Sequence, residues 1–319
     1  MDQWGVPGLF SIKDCGIMLE PQLGMNMRQL VETAGLAEEL GFGYLFRSDH
    51  LLPTDGKRGV DSPECWTSLG AIAASTRTLK FGPLVTPVGF RNPALLARMA
   101  CTLHSFSGGR LQLSVGAGWY ESEYVSHGFS FPPLATRLSQ FREALTIIKA
   151  MVKDGRIDFD GRHFSAHTDC FPRPAGKLHV TIGGKTKSMV RMAAREADEW
   201  NLLGSPLDVF LGLKRVLELT ADGRNVEVSE MGPFLLGSNS GELESSAKLQ
   251  IAKYGYEMSP QDLLKRLKAR SAPCGTIEDF AEQLKGKLDA GIQKFYFQTL
   301  VPENTGMLRL LADTLKEKV

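Results

Sequence analysis

Short apolar runs alternate along this chain with longer segments in which apolar residues recur at helical spacing, the pattern of a parallel sheet built from βα units. The first run, Cys15–Leu19, leads through a Pro/Gly loop into Met27–Leu40. There Leu30, Ala34, Ala37 and Leu40 share one face, and Gly41 supplies a left-handed cap. Tyr44-Leu45-Phe46 reads as a second strand, residues 65–74 as a helix, and residues 79–85 as a buried third strand ended by Pro87. Asn92-Pro93 has the form of an N-cap with proline at the first helical position, opening a helix over residues 94–104.

Further strands are expected at 111–115, 180–182, 200–203, 232–236 and Lys294–Thr299. Helices are expected at 135–153, 189–196 and 207–219, in a polar region over 241–270, and at 275–290 behind the cap Thr276. Hydrophilic residues 154–174 and the stretch 237–274 read as insertions. Eight strand candidates, no Pro/Ser-rich linker and no internal repeat predict one (β/α)8 TIM-barrel domain over residues 1–319.

Composition narrows the partners. Lys plus Arg (37) nearly cancel Asp plus Glu (36), so the chain lacks the basic footprint of a nucleic-acid or anionic-membrane binder, and a small molecule is the expected partner. Apolar runs such as 111–115 fall far short of the roughly 20 residues that cross a bilayer. The opening Met1-Asp2-Gln3-Trp4 has no basic segment followed by an apolar stretch, which argues against a secretory signal. Five scattered cysteines without a Cys-x-x-Cys pair suggest neither a disulfide framework nor a zinc site, so a cytoplasmic location is expected. His163 and His167 lack matching carboxylate or thiol spacing, and no metal site is expected. A Gly-x-Ser-x-Gly elbow and a Walker-type loop are both missing, which leaves hydrolase and nucleotide-triphosphatase readings without support.

Active sites of such barrels lie at the C-terminal ends of the strands, so the residues following each strand carry the chemistry. Asp49 and His50 follow the second strand; Asp49 can orient His50 or a cofactor ring, and His50 can exchange a proton near neutral pH. The plainer reading, a helix cap and a packed imidazole, stays open. After the third strand, Gly82-Pro83-Leu84-Val85-Thr86-Pro87 puts two prolines in a strand and predicts a bulge or bend. Gly116-Ala117-Gly118-Trp119-Tyr120 joins glycines to aromatics, a surface on which a flat ligand can lie. Gly183-Gly184-Lys185-Thr186-Lys187 opens a helix whose amides, with Lys185 or Lys187, can hold a phosphate, although a glycine pair also makes a simple tight turn.

In their order these segments resemble the luciferase-like monooxygenase superfamily, and in particular its branch dependent on the deazaflavin coenzyme F420. The likeness runs from Ala37-Glu38-Glu39-Leu40-Gly41-Phe42 and Ser48-Asp49-His50-Leu51-Leu52 through Arg91-Asn92-Pro93-Ala94 and Ser107-Gly108-Gly109-Arg110-Leu111. It continues through Gly116-Ala117-Gly118-Trp119, Phe131-Pro132-Pro133, Ile182-Gly183-Gly184 and Ala197-Asp198-Glu199-Trp200-Asn201 to Gly275-Thr276-Ile277-Glu278-Asp279. The resemblance implies a barrel whose mouth holds the cofactor ring, with Gly183, Gly184 and Lys185 at its phosphate and Gly116 and Gly118 beneath it. It further implies a cis peptide at Pro83–Leu84 that brings Leu84, Val85 and Thr86 against the ring. Asp49 is the acid approaching the cofactor, and His50 stands on the substrate side with Trp119 and Tyr120. Members often pair through barrel helices, so a homodimer is a further expectation.

One departure bears on the reaction. A sugar-phosphate dehydrogenase of this branch carries a catalytic glutamate after the Gly-x-Gly turn, where this chain has Trp119; Glu121 or Glu123 can substitute, but the simpler reading makes both a solvated helix start. The leading expectation is hydride transfer between F420 and a small organic substrate. The alternative is an FMN-dependent monooxygenase using reduced flavin and oxygen, and a third reading is a flavin-binding protein without catalysis.

Overall fold

The parallel strands that alternate with helices along the chain become the staves of a closed barrel. The computed structural model describes residues 10–56 and 59–319; residues 1–4, on which the absence of a secretory signal was read, lie outside them. In chain order the strands are β1 Cys15–Leu19, β2 Tyr44–Arg47, β3 Lys80–Pro83, β4 Thr86–Pro87, β5 Gln112–Gly116, β6 Arg156–Asp160, β7 Ser165–Asp169 and β8 His179–Gly183. β9 Glu199–Leu203, β10 Glu227–Pro233, β11 Leu235–Leu236, β12 Cys274–Gly275 and β13 Lys294–Thr299 follow. The helices are α1 Met27–Leu40, α2 Cys65–Ser75, α3 Pro93–Phe106, α4 Glu121–Ser126, α5 Leu134–Asp154, α6 Lys187–Glu196, α7 Leu207–Ala221, α8 Ser240–Tyr254, α9 Pro260–Ala269, α10 Ile277–Asp289 and α11 Thr305–Glu317.

The parallel sheet runs β3-β2-β1-β13-β10-β9-β8-β5-β4. Its two ends, β3 and β4, are halves of one interrupted stave, so the row closes into the expected eight-stave TIM barrel. The caps read from sequence are present: Gly41 is left-handed with φ 93°, Asn92 accepts from Ala94 N, and Thr276 and Asp279 form a capping box. Among the described residues no helix is long and apolar enough to cross a membrane.

Two expectations change, the place of the seventh strand and the place of the cis peptide. The seventh strand is Glu227–Pro233 rather than 232–236; its inward side carries Glu227 and Ser229, whose polarity hid the stave from a search for apolar runs. Leu235 and Leu236 instead pair with Cys274 and Gly275 in a separate two-stranded sheet beside α8 and α9. The hydrophilic insertion is ordered as the antiparallel hairpin β6–β7. The cis peptide lies at Leu84–Val85 and not at Pro83–Leu84. Pro83 still keeps register with Arg47, and Leu84 N still donates to Arg47 O at 2.8 Å, so the chain leaves the ladder only at Val85.

The barrel axis is filled from below by charge. Lys294 Nζ lies 3.2 Å from Glu199 Oε2 and 2.7 Å from Glu227 Oε2, and His179 Nε2 lies 3.3 Å from Glu199 Oε2. Tyr296 OH donates to both Glu199 oxygens at 3.0 and 3.1 Å. Burial by itself would raise the Glu199 carboxyl, but His179, Lys294 and Ser229 outweigh it and hold the group down at about 2. His179, Glu199 and Glu227 bring possible metal-ligand atoms within 4.8 Å of one another, and the Lys294 ammonium bonds both carboxylates of that trio. Removing one member of a buried ion pair strands the other, so Lys294→Met is expected to cost about 3 kcal/mol or more in urea unfolding. A loss under about 1 kcal/mol would show that the remaining donors suffice for Glu199.

Candidate active site

The interruption of the third stave shapes the mouth. At its break the Val85 side chain turns toward the neighbouring staves β5 and β8, where a side chain would collide with it. A Cβ on Gly116 would lie 2.6 Å from Val85 Cγ2, and one on Gly183 would lie 2.8 Å from Val85 Cγ1. Two glycines on two strands are therefore required by one valine. Leu84, Val85, Gly116, Gly118, Gly183, Gly184 and Lys185 then line a single cavity of about 850 Å³ together with Asp49, His50 and Trp119. Thr86 and Tyr120 do not line it.

Thr86 has another task. Its hydroxyl donates to Asp49 Oδ2 at 2.9 Å and accepts from Trp66 Nε1 at 3.1 Å. Arg91 completes the grip on Asp49, with Nη1 2.6 Å from Oδ2 and Nη2 3.2 Å from Oδ1, and is itself held by Glu64 at 2.5 Å. Burial alone would lower the Arg91 pKa, but Asp49 and Glu64 outweigh it and raise it. Asp49 is thus an anchored carboxylate that ties the second stave to the third, and the expected Asp49–His50 partnership is corrected: the two side chains share no hydrogen bond.

The partner of His50 is Glu123. His50 Nδ1 lies 3.0 and 3.1 Å from the Glu123 oxygens, and Leu51 N donates to Glu123 Oε2 at 3.0 Å. Glu123 is 1% exposed, so the reading of it as a solvated helix start fails. It faces inward because α4 begins immediately after the Gly118 turn and lays its third residue beneath the β2 loop. An ionised carboxylate only accepts, so Nδ1 carries the proton in neutral His50 and Nε2 presents a lone pair. Burial pushes the His50 pKa down, but the hydrogen bond and charge of Glu123, with Glu20 and Asp49 behind them, carry it above 6.5. Trp119, 67% exposed, stands edge-on to the imidazole with ring centroids 5.6 Å apart, and Tyr120 stacks on Trp119. Tyr120 reaches His50 at 6.1 Å and leaves the cavity wall to Trp119.

At the other side of the mouth, Gly184 and Lys185 precede α6, whose N-cap Thr186 accepts from Met189 N. Gly184, the exposed Lys185 and Thr186 at the α6 start line the same cavity, where a helix start and an ammonium can hold an anion. A second chamber of about 570 Å³ adjoins the first, sharing Trp119, Lys185, Arg270 and Gln298 as walls. Sequence reasoning missed Arg91, Glu20 and Asn201. Glu20 follows the first strand, so asking what ends every strand would have found it; Asn201 lies in the middle of β9, where that question does not reach. The role of Arg91 depends on a contact across 42 positions that no local pattern encodes.

The model of the luciferase-like monooxygenase family matches residues 13–294. An F420-dependent glucose-6-phosphate dehydrogenase of Microbacterium testaceum (strain StLB037) is 32% identical over 204 residues, covering 63% of this chain; the match spans 59% of that enzyme's length. Among solved structures, the coenzyme F420 dependent tetrahydromethanopterin reductase from Methanopyrus kandleri superposes with a TM-score of 0.77 at 18% identity, over 97% of this chain and 99% of that one. The oxygenating constituent of 3,6-diketocamphane monooxygenase from Pseudomonas putida, in complex with FMN, gives 0.75 at 18% identity, over 96% and 97%. The family match covers most of the barrel, from the residues before its first stave into its last, and the chain belongs to the luciferase-like monooxygenase family.

Proposed function

We propose that the protein is an oxidoreductase that passes a hydride between coenzyme F420 and a small organic substrate, with His50 exchanging the accompanying proton. The observation that carries this reading is the His50–Glu123 pair. A buried acceptor fixes the imidazole tautomer and leaves Nε2, without a partner among the described residues, at the wall of a cavity large enough for a tricyclic ring. The fit to the cofactor rests on the glycine cradle: Gly116 and Gly183 make room for Val85, Leu84 and Val85 offer an apolar surface to a flat ring, and Gly184, Lys185 and the α6 start face a phosphate. When bound, the deazaflavin supplies the hydride chemistry.

The chain's own residues do the rest. Asp49, locked by Arg91 and Thr86, keeps the β2 loop against the interrupted stave and so sets the height of His50 over the cavity. Trp119 covers the imidazole and limits water. Neutral His50 takes the proton of a substrate hydroxyl as it is oxidised, and protonated His50 returns one in the reverse direction, stabilised by Glu123. Substrate meets His50 in the large cavity and extends into the adjoining chamber. There Lys185, Arg266 and Arg270 have no carboxylate within ion-pair distance among the described residues, while the acid on the wall, Glu230, is held by Lys287 at 2.7 Å. That balance favours a substrate carrying an anionic group.

Titration of the purified protein with F420 and with FMN tests the cofactor: F420 is expected to bind more tightly, and tight FMN binding without F420 binding would overturn the reading in favour of the monooxygenase. Glu123→Gln is expected to lower turnover by about 10²-fold while cofactor affinity changes little. It should also move the pH limb governed by His50 to lower pH, because the charge that raises this pKa is gone; an unmoved limb would remove His50 from the reaction. Citrate and inorganic phosphate are expected to compete with substrate, and Arg270→Ala to weaken that competition at least about tenfold, equivalent to about 1.4 kcal/mol. Unchanged inhibition would dismiss the anionic chamber.

A further inference from the structure

A directed chain of hydrogen bonds climbs the inside of the barrel from its charged base to the floor of the cavity. Glu199 receives Lys294, His179 and Tyr296 from below and beside it, and its Oε1 also accepts from Ser229 Oγ at 2.6 Å. Ser229 is fully buried, and its Oγ accepts from Asn201 Nδ2 at 2.8 Å. Asn201 is 4% exposed and lies on the wall of the large cavity.

The direction of this chain is forced. An ionised carboxylate has no proton to give, so Ser229 must donate to Glu199. A serine hydroxyl has one proton, so towards Asn201 it can only accept. The amide must then turn its NH2 to Ser229 and its carbonyl the other way. The network thus decides which end of the amide is nitrogen and which is oxygen. On that other side the register neighbour of Asn201 is Gly183, which brings no side chain. Oδ1 has no hydrogen-bond partner among the described residues, and the nearby cavity lining of Met18, Leu84 and Met231 is apolar.

We propose that Asn201 Oδ1 is a hydrogen-bond acceptor built into the cavity floor, oriented by Glu199 through Ser229, and that it receives a ring N–H on the buried edge of the bound cofactor. Flavin and deazaflavin both carry such a donor in the pyrimidine portion of the ring system. A donor that left water and found no acceptor here would lose affinity, so the residue selects an N–H edge over one that is alkylated. This rests on the large cavity being the ring site proposed above; the direction of the chain does not.

The test compares FMN, 3-methyl-FMN, which lacks the N–H, and F420 by equilibrium binding to the intact protein. The native protein is expected to bind FMN at least about tenfold more tightly than 3-methyl-FMN. Asn201→Leu is expected to bring the two within about twofold and to weaken F420 by a similar factor. Ser229→Ala, which deletes one hydroxyl and leaves Asn201 in place, should narrow the discrimination without abolishing ring binding, and it serves if Asn201→Leu fails to fold. Equal affinity of the native protein for FMN and its methylated analogue, or undiminished discrimination in Ser229→Ala, would overturn the proposal. Side-chain amide resonances of 15N-asparagine-labelled protein separate it from the cofactor reading. If neither ring binds, the proposed function falls; one exchange-protected Asn201 amide proton that loses protection in Ser229→Ala would still uphold the chain, and its absence would sink that too.

Discussion

The space between Val85, Gly116 and Gly183 is the constraint on which the mouth of this barrel depends. A regular third stave would place its side chains in alternation and keep the ladder intact. Here the stave breaks, Val85 leans across toward two other strands, and those strands can accept it only because each has a glycine at the point of approach. From this one fit follow the flat surface of Leu84 and Val85, the position of the Gly183-Gly184-Lys185 turn, and the shape of the cavity between them. Asp49 then serves as a brace: with Thr86 and Arg91 it ties the second stave to the third across the break.

Much of this was legible in the sequence, for identifiable reasons. Strands whose inward and outward faces are both apolar, such as Cys15–Leu19, announce themselves as runs, and helix ends are written in local chemistry at Gly41, Asn92 and Thr276. The two prolines flanking Leu84 to Thr86 declared a distortion, though not the bond at which it falls. What escaped was polar and non-local. The seventh stave was displaced because Glu227 and Ser229 face a charged interior that an apolar-run search treats as a loop. Glu123 looked like a solvated helix start because nothing in Glu121 to Ser126 says which side of the short helix is covered by the β2 loop. Pairing it with His50 requires closing the barrel first.

The interior of the barrel divides into two regimes. Its base is ionic, with Lys294, Glu199, Glu227 and His179 satisfying one another at the cost of strong mutual dependence. Its mouth is largely apolar, with a few polar atoms held at fixed angles: His50 by Glu123, Asp49 by Arg91, Asn201 by Ser229. In each case a buried partner sets the direction in which the next residue presents itself: the Glu123 carboxylate accepts from His50, the Arg91 guanidinium donates to Asp49, and Ser229, committed as donor to Glu199, accepts from Asn201.

The ionic base also governs traffic. Among the described residues, Glu199, Lys294 and Tyr296 are buried along the axis and plug the base of the barrel, so the mouth is the way to the cavity floor. The two chambers of that mouth share Trp119, Lys185, Arg270 and Gln298 as walls, so a guest in either one changes the surface that the other presents.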